Sequence, residues 1–233
     1  MDNTIILLVK ITILLIISIV SGNGIVVLFN HLPYKWFLND GEKPTPEILG
    51  YEKQRLTSTP WKWIFVSLFA TTTIYMNITI SFLYAVTVLI VMNLLLISTI
   101  SDIKYGILPD QISIMIAVSS IGFFALHDSW TEQLYGAITG FSLLMLLWIA
   151  GKLIYKRDAV GGGDIKIFSS LGLAMGIKGI LMIFIISTFL SAIHFGFLLI
   201  TKRAKLRDTR PMMPYIFMSF LIYVVFLWNV NIL

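Results

Sequence analysis

Two aspartates in this sequence have neighbours that suit carboxylate chemistry. Asp164 closes a run of three glycines, Gly161-Gly162-Gly163-Asp164-Ile165-Lys166, and leads into an apolar stretch that reaches Met175. Asp102 lies in a second stretch, Ser101-Asp102-Ile103-Lys104-Tyr105-Gly106-Ile107-Leu108-Pro109-Asp110. Both stand where a loop meets a long apolar run, and those runs hold no acid inside them. Carboxylates at a membrane are costly and are usually kept for function. Two brought close together cannot easily both ionise, so they share a proton. The ionised partner can then deprotonate a water while the protonated one polarises a carbonyl. Such a pair hydrolyses a peptide bond with neither metal nor thiol. The pattern therefore predicts that Asp102 and Asp164 meet at one membrane face as a catalytic dyad.

The flanking residues refine this expectation. Glycines let the backbone turn sharply and approach a substrate closely, and their N–H groups can form an anion-favouring concavity. Asp164 begins a helix, where the dipole favours negative charge, and Asp102 ends one, where it does not. The expected roles are thus Asp164 as ionised base and Asp102 as protonated acid, titrating as a coupled pair. Gly161, Gly162, Gly163, Pro109, Asp110 and Lys166 are the expected site-shaping or substrate-binding residues. Plainer roles stand beside these. Asp164 also suits a helix N-cap, and Asp102 an interfacial charge. Asp110, beside Pro109, suits either the N-cap of the next span or a place in the dyad. Lys166, two positions beyond Asp164, does not share its helix face and suits a snorkelling side chain. Asp158 reads as a solvated loop charge, and His194 as a hydrogen-bonded packing residue.

The elements that must position these residues are transmembrane helices. Of 233 residues, 58% are hydrophobic and 12% charged, with mean hydropathy +0.90. A soluble domain carries about 25% charged residues. The chain reads as an all-α polytopic membrane helix bundle of about eight transmembrane segments. They lie near residues 4–29, 61–80, 81–100, 111–126, 134–155, 164–175, 180–200 and 213–233. Residues 1–60 form the first span and its loop, and 61–233 the membrane-embedded domain. The polar stretch 31–60 holds Pro33, Pro44, Pro46 and Pro60 with Asp40, Glu42, Glu47 and Glu52. It is either a solvated loop or a subdomain that touches substrate. There is no cysteine, which excludes disulfides, a thiol nucleophile and Cys-based zinc. His31, His127 and His194 fit no metal spacing, so no metal is expected.

The net charge of +5 does not point to nucleic acid, because the basic residues gather in loops on one side of the map. Fifteen of the seventeen fall there: five in 35–62, Lys104, four in 152–166 and five in 202–210. Positive loops stay cytoplasmic. The N-terminus is then outside, and both aspartates lie at the cytoplasmic face. The segment 164–175 is short for the bilayer, about 18 Å of helix against a core of about 30 Å. The charge rule favours a short span, extended towards Lys178, over a re-entrant loop.

Taken together, these motifs resemble those of the bacterial type IV prepilin peptidases, aspartic proteases of the GxGD type. Gly161 to Lys166, continued by Leu171-Gly172-Leu173 and Gly176, resembles the family's second aspartate motif. Asp102 to Asp110 resembles the first. Ser21-Gly22-Asn23 through Asn30-His31-Leu32-Pro33 resembles its N-terminal stretch. The resemblance implies cleavage of the short basic leader of type IV prepilins or pseudopilins, after a glycine. It also implies a place in the bacterial inner membrane with the site facing the cytoplasm. Many members N-methylate the product, so S-adenosylmethionine enters if that activity is retained; proteolysis needs no cofactor. Three departures stand out. The family's two CxxC pairs are missing, so no zinc is expected. His31 replaces a common arginine. Arg210-Pro211-Met212-Met213-Pro214-Tyr215 only partly matches the family's PFGP segment. A presenilin-like protease would place Tyr before its first aspartate and carry Pro-Ala-Leu; here Ser101 precedes Asp102. A transporter would carry internal symmetry and mid-membrane charges, and a structural assembly component would leave both aspartates inert.

Overall fold

The computed structural model describes residues 3–38, 55–127, 129–156, 160–205 and 210–229, and the regular structure among them is helical. Asp158 and the acids at 40, 42, 47 and 52 lie outside the described residues. The helices in order are α1 (Asn3–His31), α2 (Trp61–Thr79), α3 (Phe82–Tyr105), α4 (Asp110–Ser119), α5 (Trp130–Tyr155), α6 (Gly162–Ile200) and α7 (Met213–Ile222). A 3-10 turn, Ser120–Leu126, extends α4, and a π turn, Tyr223–Leu227, extends α7. The chain divides into two compact units, Met1–Ile97 and Ser98–Leu233, with the boundary inside α3.

Among the described residues, four helices are long and apolar enough to cross a membrane: α1, α3, α5 and α6. Their surfaces say the same. Ile5, Leu8, Ile16 and Val20 on α1 are exposed, as are Leu146, Leu153 and Ile154 on α5. In water each would forgo about 1.5–3 kcal/mol of burial; against lipid it forgoes nothing. Small polar groups lie inside instead, among them Ser18, Thr73, Ser98 and Ser101. Polar side chains in such helices satisfy themselves on the helix or on a neighbour. In the first unit Ser18 Oγ meets Thr73 Oγ1 at 3.3 Å, between α1 and α2. At the end of α1, Asn30 pairs with both backbone groups of Leu56, and Arg55 donates to the Leu32 carbonyl at 2.6 Å. These contacts tie the start of the chain's second described stretch to the last turn of the first helix.

In the second unit α6 is the central element, packed against α4, α5 and α7. Its approach to α5 is backbone to backbone. A Cβ placed on Gly136 would lie 2.3 Å from the Gly172 carbonyl oxygen, and one on Gly172 would lie 2.2 Å from that of Gly136. No residue but glycine fits at either position. Helix α6 is not straight. At Gly176 the backbone leaves the helical region, with φ +70 and ψ −177. The sequence divides its two apolar runs at the same place, between Met175 and Ile180. The break makes an arm, 162–175, of about 21 Å and a longer limb, 177–200, of about 36 Å.

Candidate active site

The second unit brings the two aspartate motifs together. Asp102 lies in the last turn of α3 and Asp164 in the first turn of α6. Both are half-buried, and the two carboxylates stand within electrostatic reach of each other. Three contacts fasten the segments that carry them. Ser101, fully buried, donates Oγ–H to the Ile107 carbonyl at 2.6 Å and folds the loop back on the end of α3. Leu108 of that loop packs on Gly163, where a Cβ would come within 2.7 Å of Leu108 Cβ. Lys166 Nζ then reaches both carboxylate oxygens of Asp110 at 2.7 Å.

This geometry corrects three expectations. The glycines were expected to make a turn, yet α6 already begins at Gly162 and none of Gly161, Gly162 and Gly163 has a positive φ. Gly163 is needed for the close approach of Leu108, not for a turn. Asp110 was weighed as an N-cap, but it is the first helical residue of α4, behind Pro109 at the cap, and no side chain caps that helix. Its carboxylate is turned to Lys166. Lys166, expected to snorkel alone, is thereby an ion-pair partner joining the two motifs.

Each dyad carboxylate has its own anchor. Asp164 sits three residues after the N-cap Gly161, the position from which an acid reaches back to the cap's N–H. The Gly161 amide serves that carboxylate, and a Cβ on Gly161 would lie 3.2 Å from Oδ2. The other oxygen, Oδ1, is buried with no hydrogen-bond partner among the described residues. Asp102 Oδ2 accepts the Met213 N–H at 2.9 Å, and the Met212 amide also serves it. Met213 opens α7, so Asp102 stands at the N-terminal end of a second helix as well as the C-terminal end of its own. Both carboxylates therefore face a helix N-terminus. The asymmetry of helix ends expected from the sequence is thereby reduced, because Asp102 meets a helix N-terminus in addition to the C-terminus of its own helix.

Met213 and Met212 were absent from the expected site. A backbone amide leaves no mark of residue type, and the only pointer was the partial likeness of 210–215 to a family segment. Further along α7, Tyr215 hydrogen-bonds His194 of α6, which is hydrogen-bonded as expected but exposed rather than packed inside. Among the described residues no three His, Asp or Glu side chains converge as metal ligands. The cysteine-free chain also lacks the thiolates of a CxxC zinc site, so its donor set does not fit that metal.

The long apolar helices mark an integral membrane protein, with the two carboxylates at helix junctions. Residues 89–196, which hold both aspartates, match the Type IV leader peptidase family. The chain is 30% identical over 126 residues to a prepilin leader peptidase/N-methyltransferase of Bacillus subtilis, covering 53% of this chain and 49% of the relative. The proteins of the same name from Xanthomonas campestris and Vibrio cholerae are 29% and 27% identical, over 55% and 52% of this chain and 45% and 48% of their own lengths. The matched region thus spans about half the length of these curated relatives. No solved structure matches the chain.

Proposed function

We infer that this chain is a prepilin leader peptidase, an aspartic endopeptidase acting at the cytoplasmic face of the bacterial inner membrane. Its substrates on this reading are type IV prepilins or type II secretion pseudopilins, cut after the glycine that ends the basic leader. The observation that carries the reading is that Asp102 and Asp164, both inside the family-matched segment, stand within electrostatic reach of each other and are each anchored by a backbone amide. One carboxylate takes a proton from water, and the hydroxide attacks the scissile carbonyl carbon. The other, protonated, donates to the carbonyl oxygen as it becomes an oxyanion. Collapse of the tetrahedral intermediate breaks the C–N bond, and the departing amine takes up the proton first removed from water. Asp164 Oδ1 is the atom suited to face the reaction, since Oδ2 is turned to Gly161 and Oδ1 is buried with no donor.

Gly163, Leu108, Pro109, Asp110 and Lys166 hold the two motif segments in register on this reading. On a map of about eight crossings, the fifteen basic residues that fall on one side support a cytoplasmic face for the pair. The relatives' names join leader peptidase to N-methyltransferase. For this chain peptidase activity is the assignment, with N-methylation left to the test below, since residues 1–60 carry no cysteine ligand set. Membranes containing the chain, incubated with a type IV prepilin, should release the leader, and mass spectrometry should place the cut after glycine. An intact prepilin after prolonged incubation, beside a positive-control peptidase that cleaves it, would refute the reading. The mass of the new N-terminus reads methylation directly when S-adenosylmethionine is supplied.

A further inference from the structure

At the far end of the α6 arm from Asp164, a buried histidine is fastened to the break. His127 follows the 3-10 turn after α4, and its side chain is 6% exposed. Its Nε2 lies 3.0 Å from the Ala174 carbonyl oxygen, two residues before Gly176. A carbonyl only accepts, so Nε2 carries the proton and is the donor. Nδ1 lies 3.5 Å from Glu132 Oε2, in the first turn of α5. The edge of Trp228 closes over the ring, with centroids 5.4 Å apart. Gly176 is pressed into the same cluster: a Cβ there would lie 3.0 Å from His127 Cε1 and 3.3 Å from Glu132 Cγ.

We propose that His127, braced by Glu132, is a positioning residue that sets the bend at Gly176 and so fixes where the arm presents Asp164. The inference rests on the peptidase reading for its consequence, though not for its geometry. Breaks in a helix free backbone groups from the regular ladder and leave a hinge unless something holds it. The glycine seam with α5 fixes how close the arm lies, but such packing has no hydrogen-bond direction. The bond from His127 to Ala174 has one, and it acts at the break itself. Asp164 lies twelve residues from Gly176, about 18 Å along the arm. A tilt of about 5° at the break would move its carboxylate by about 1.5 Å. Displacement of a reacting group by 1 Å can cost about 100-fold in rate.

The test compares His127→Phe, which fills the space without a donor, with His127→Gln, which keeps an N–H able to reach Ala174. Because the chain has no cysteine, nitroxides can be placed only at Ile103→Cys on α3 and Ser170→Cys on the arm, in the full-length protein in lipid. Dipolar coupling then reads the position of the arm without any substrate. His127→Phe should shift or broaden the 103–170 distance and lower kcat on prepilin at least tenfold, with KM within twofold. His127→Gln should restore both. If His127→Phe does not accumulate in membranes, Glu132→Ala, which leaves the histidine unbraced, should change both readouts in the same direction, by about threefold in kcat. An unchanged distance in His127→Phe, or in Glu132→Ala where that variant stands in, overturns the proposal whatever the activity. A shifted distance with no cleavage by the parent protein would refute the peptidase reading and leave the positioning intact.

Discussion

Of the three glycines before Asp164, Gly163 has the least room for a side chain. Alanine there would put its Cβ 2.7 Å from Leu108 Cβ, closer than side chains pack. Overpacking of this kind costs about 1–3 kcal/mol, and here the strain falls on the loop that leads from Asp102. Gly163→Ala should therefore lower prepilin cleavage more than tenfold and lower the thermal midpoint in detergent. Adding Leu108→Ala should not rescue it, because the colliding Cβ remains; adding Leu108→Gly should. Equal rescue by both would show that the contact is not what makes alanine harmful. The Asp110–Lys166 pair differs in kind. Its side chains are 59% and 55% exposed, so it contributes about 1 kcal/mol or less to stability. If it holds the motifs in register, Asp110→Lys and Lys166→Asp should each reduce cleavage with little change in unfolding temperature, and the double swap should recover most of it. At this scale the sequence was legible where chemistry shows in residue type: the two aspartates, the glycines before one of them, the lysine two places on. It was silent on Met213, whose contribution is a main-chain N–H, and on the pairing of Lys166 with a residue from the other motif. The helix-end argument for the protonation of the pair was incomplete, because it counted only each aspartate's own helix, and α7 brings another N-terminus to Asp102.

Between helices, the α5–α6 contact is the most demanding. Gly136 and Gly172 face each other so closely that an added methyl meets a main-chain oxygen at 2.2–2.3 Å, and a main chain cannot rotate away. Gly136→Ala and Gly172→Ala should each push the helices apart and destabilise the protein by at least about 1–3 kcal/mol. Gly196→Ala on the same helix α6 meets nothing within 4 Å and should be neutral or stabilising by up to about 1 kcal/mol, through helix propensity alone. Thermal unfolding of the three variants in one detergent checks the order, and a Gly196→Ala as damaging as Gly136→Ala would contradict it. Element by element, the apolar runs foretold most helices to within a few residues. They did not foretell that the runs 164–175 and 180–200 form one helix interrupted at a single residue. Hydropathy sees the polar dip between the runs, whereas the interruption itself is a positive φ that only the fold displays.

For the molecule as a whole, composition settled the class early. A chain with half the usual charge and several long apolar stretches has no soluble core to build. Among the described residues, four helices meet the length and hydropathy of a membrane span, and the other apolar helices there are shorter or less apolar. Hydropathy alone therefore does not number the crossings, and the distribution of basic residues bears that part of the topology. The absence of cysteine makes the topology directly measurable. Single cysteines at Ile103 and Lys202 should react with an impermeant thiol reagent only from the cytoplasmic side, and one at Trp130 only from the outside. Labelling of 103 and 202 from opposite sides would mean that the arm 162–175 turns back without crossing. The most direct test of the account, however, is whether the two aspartates act as one group. Cleavage of prepilin should be measured for Asp102→Asn, Asp164→Asn and the double variant, in membranes holding equal amounts of protein. Groups that act as a unit fail together, so each single change should abolish as much activity as both. A single variant that still cleaves at a tenth of the parent rate, or a double that is much worse than either single, would contradict a shared site.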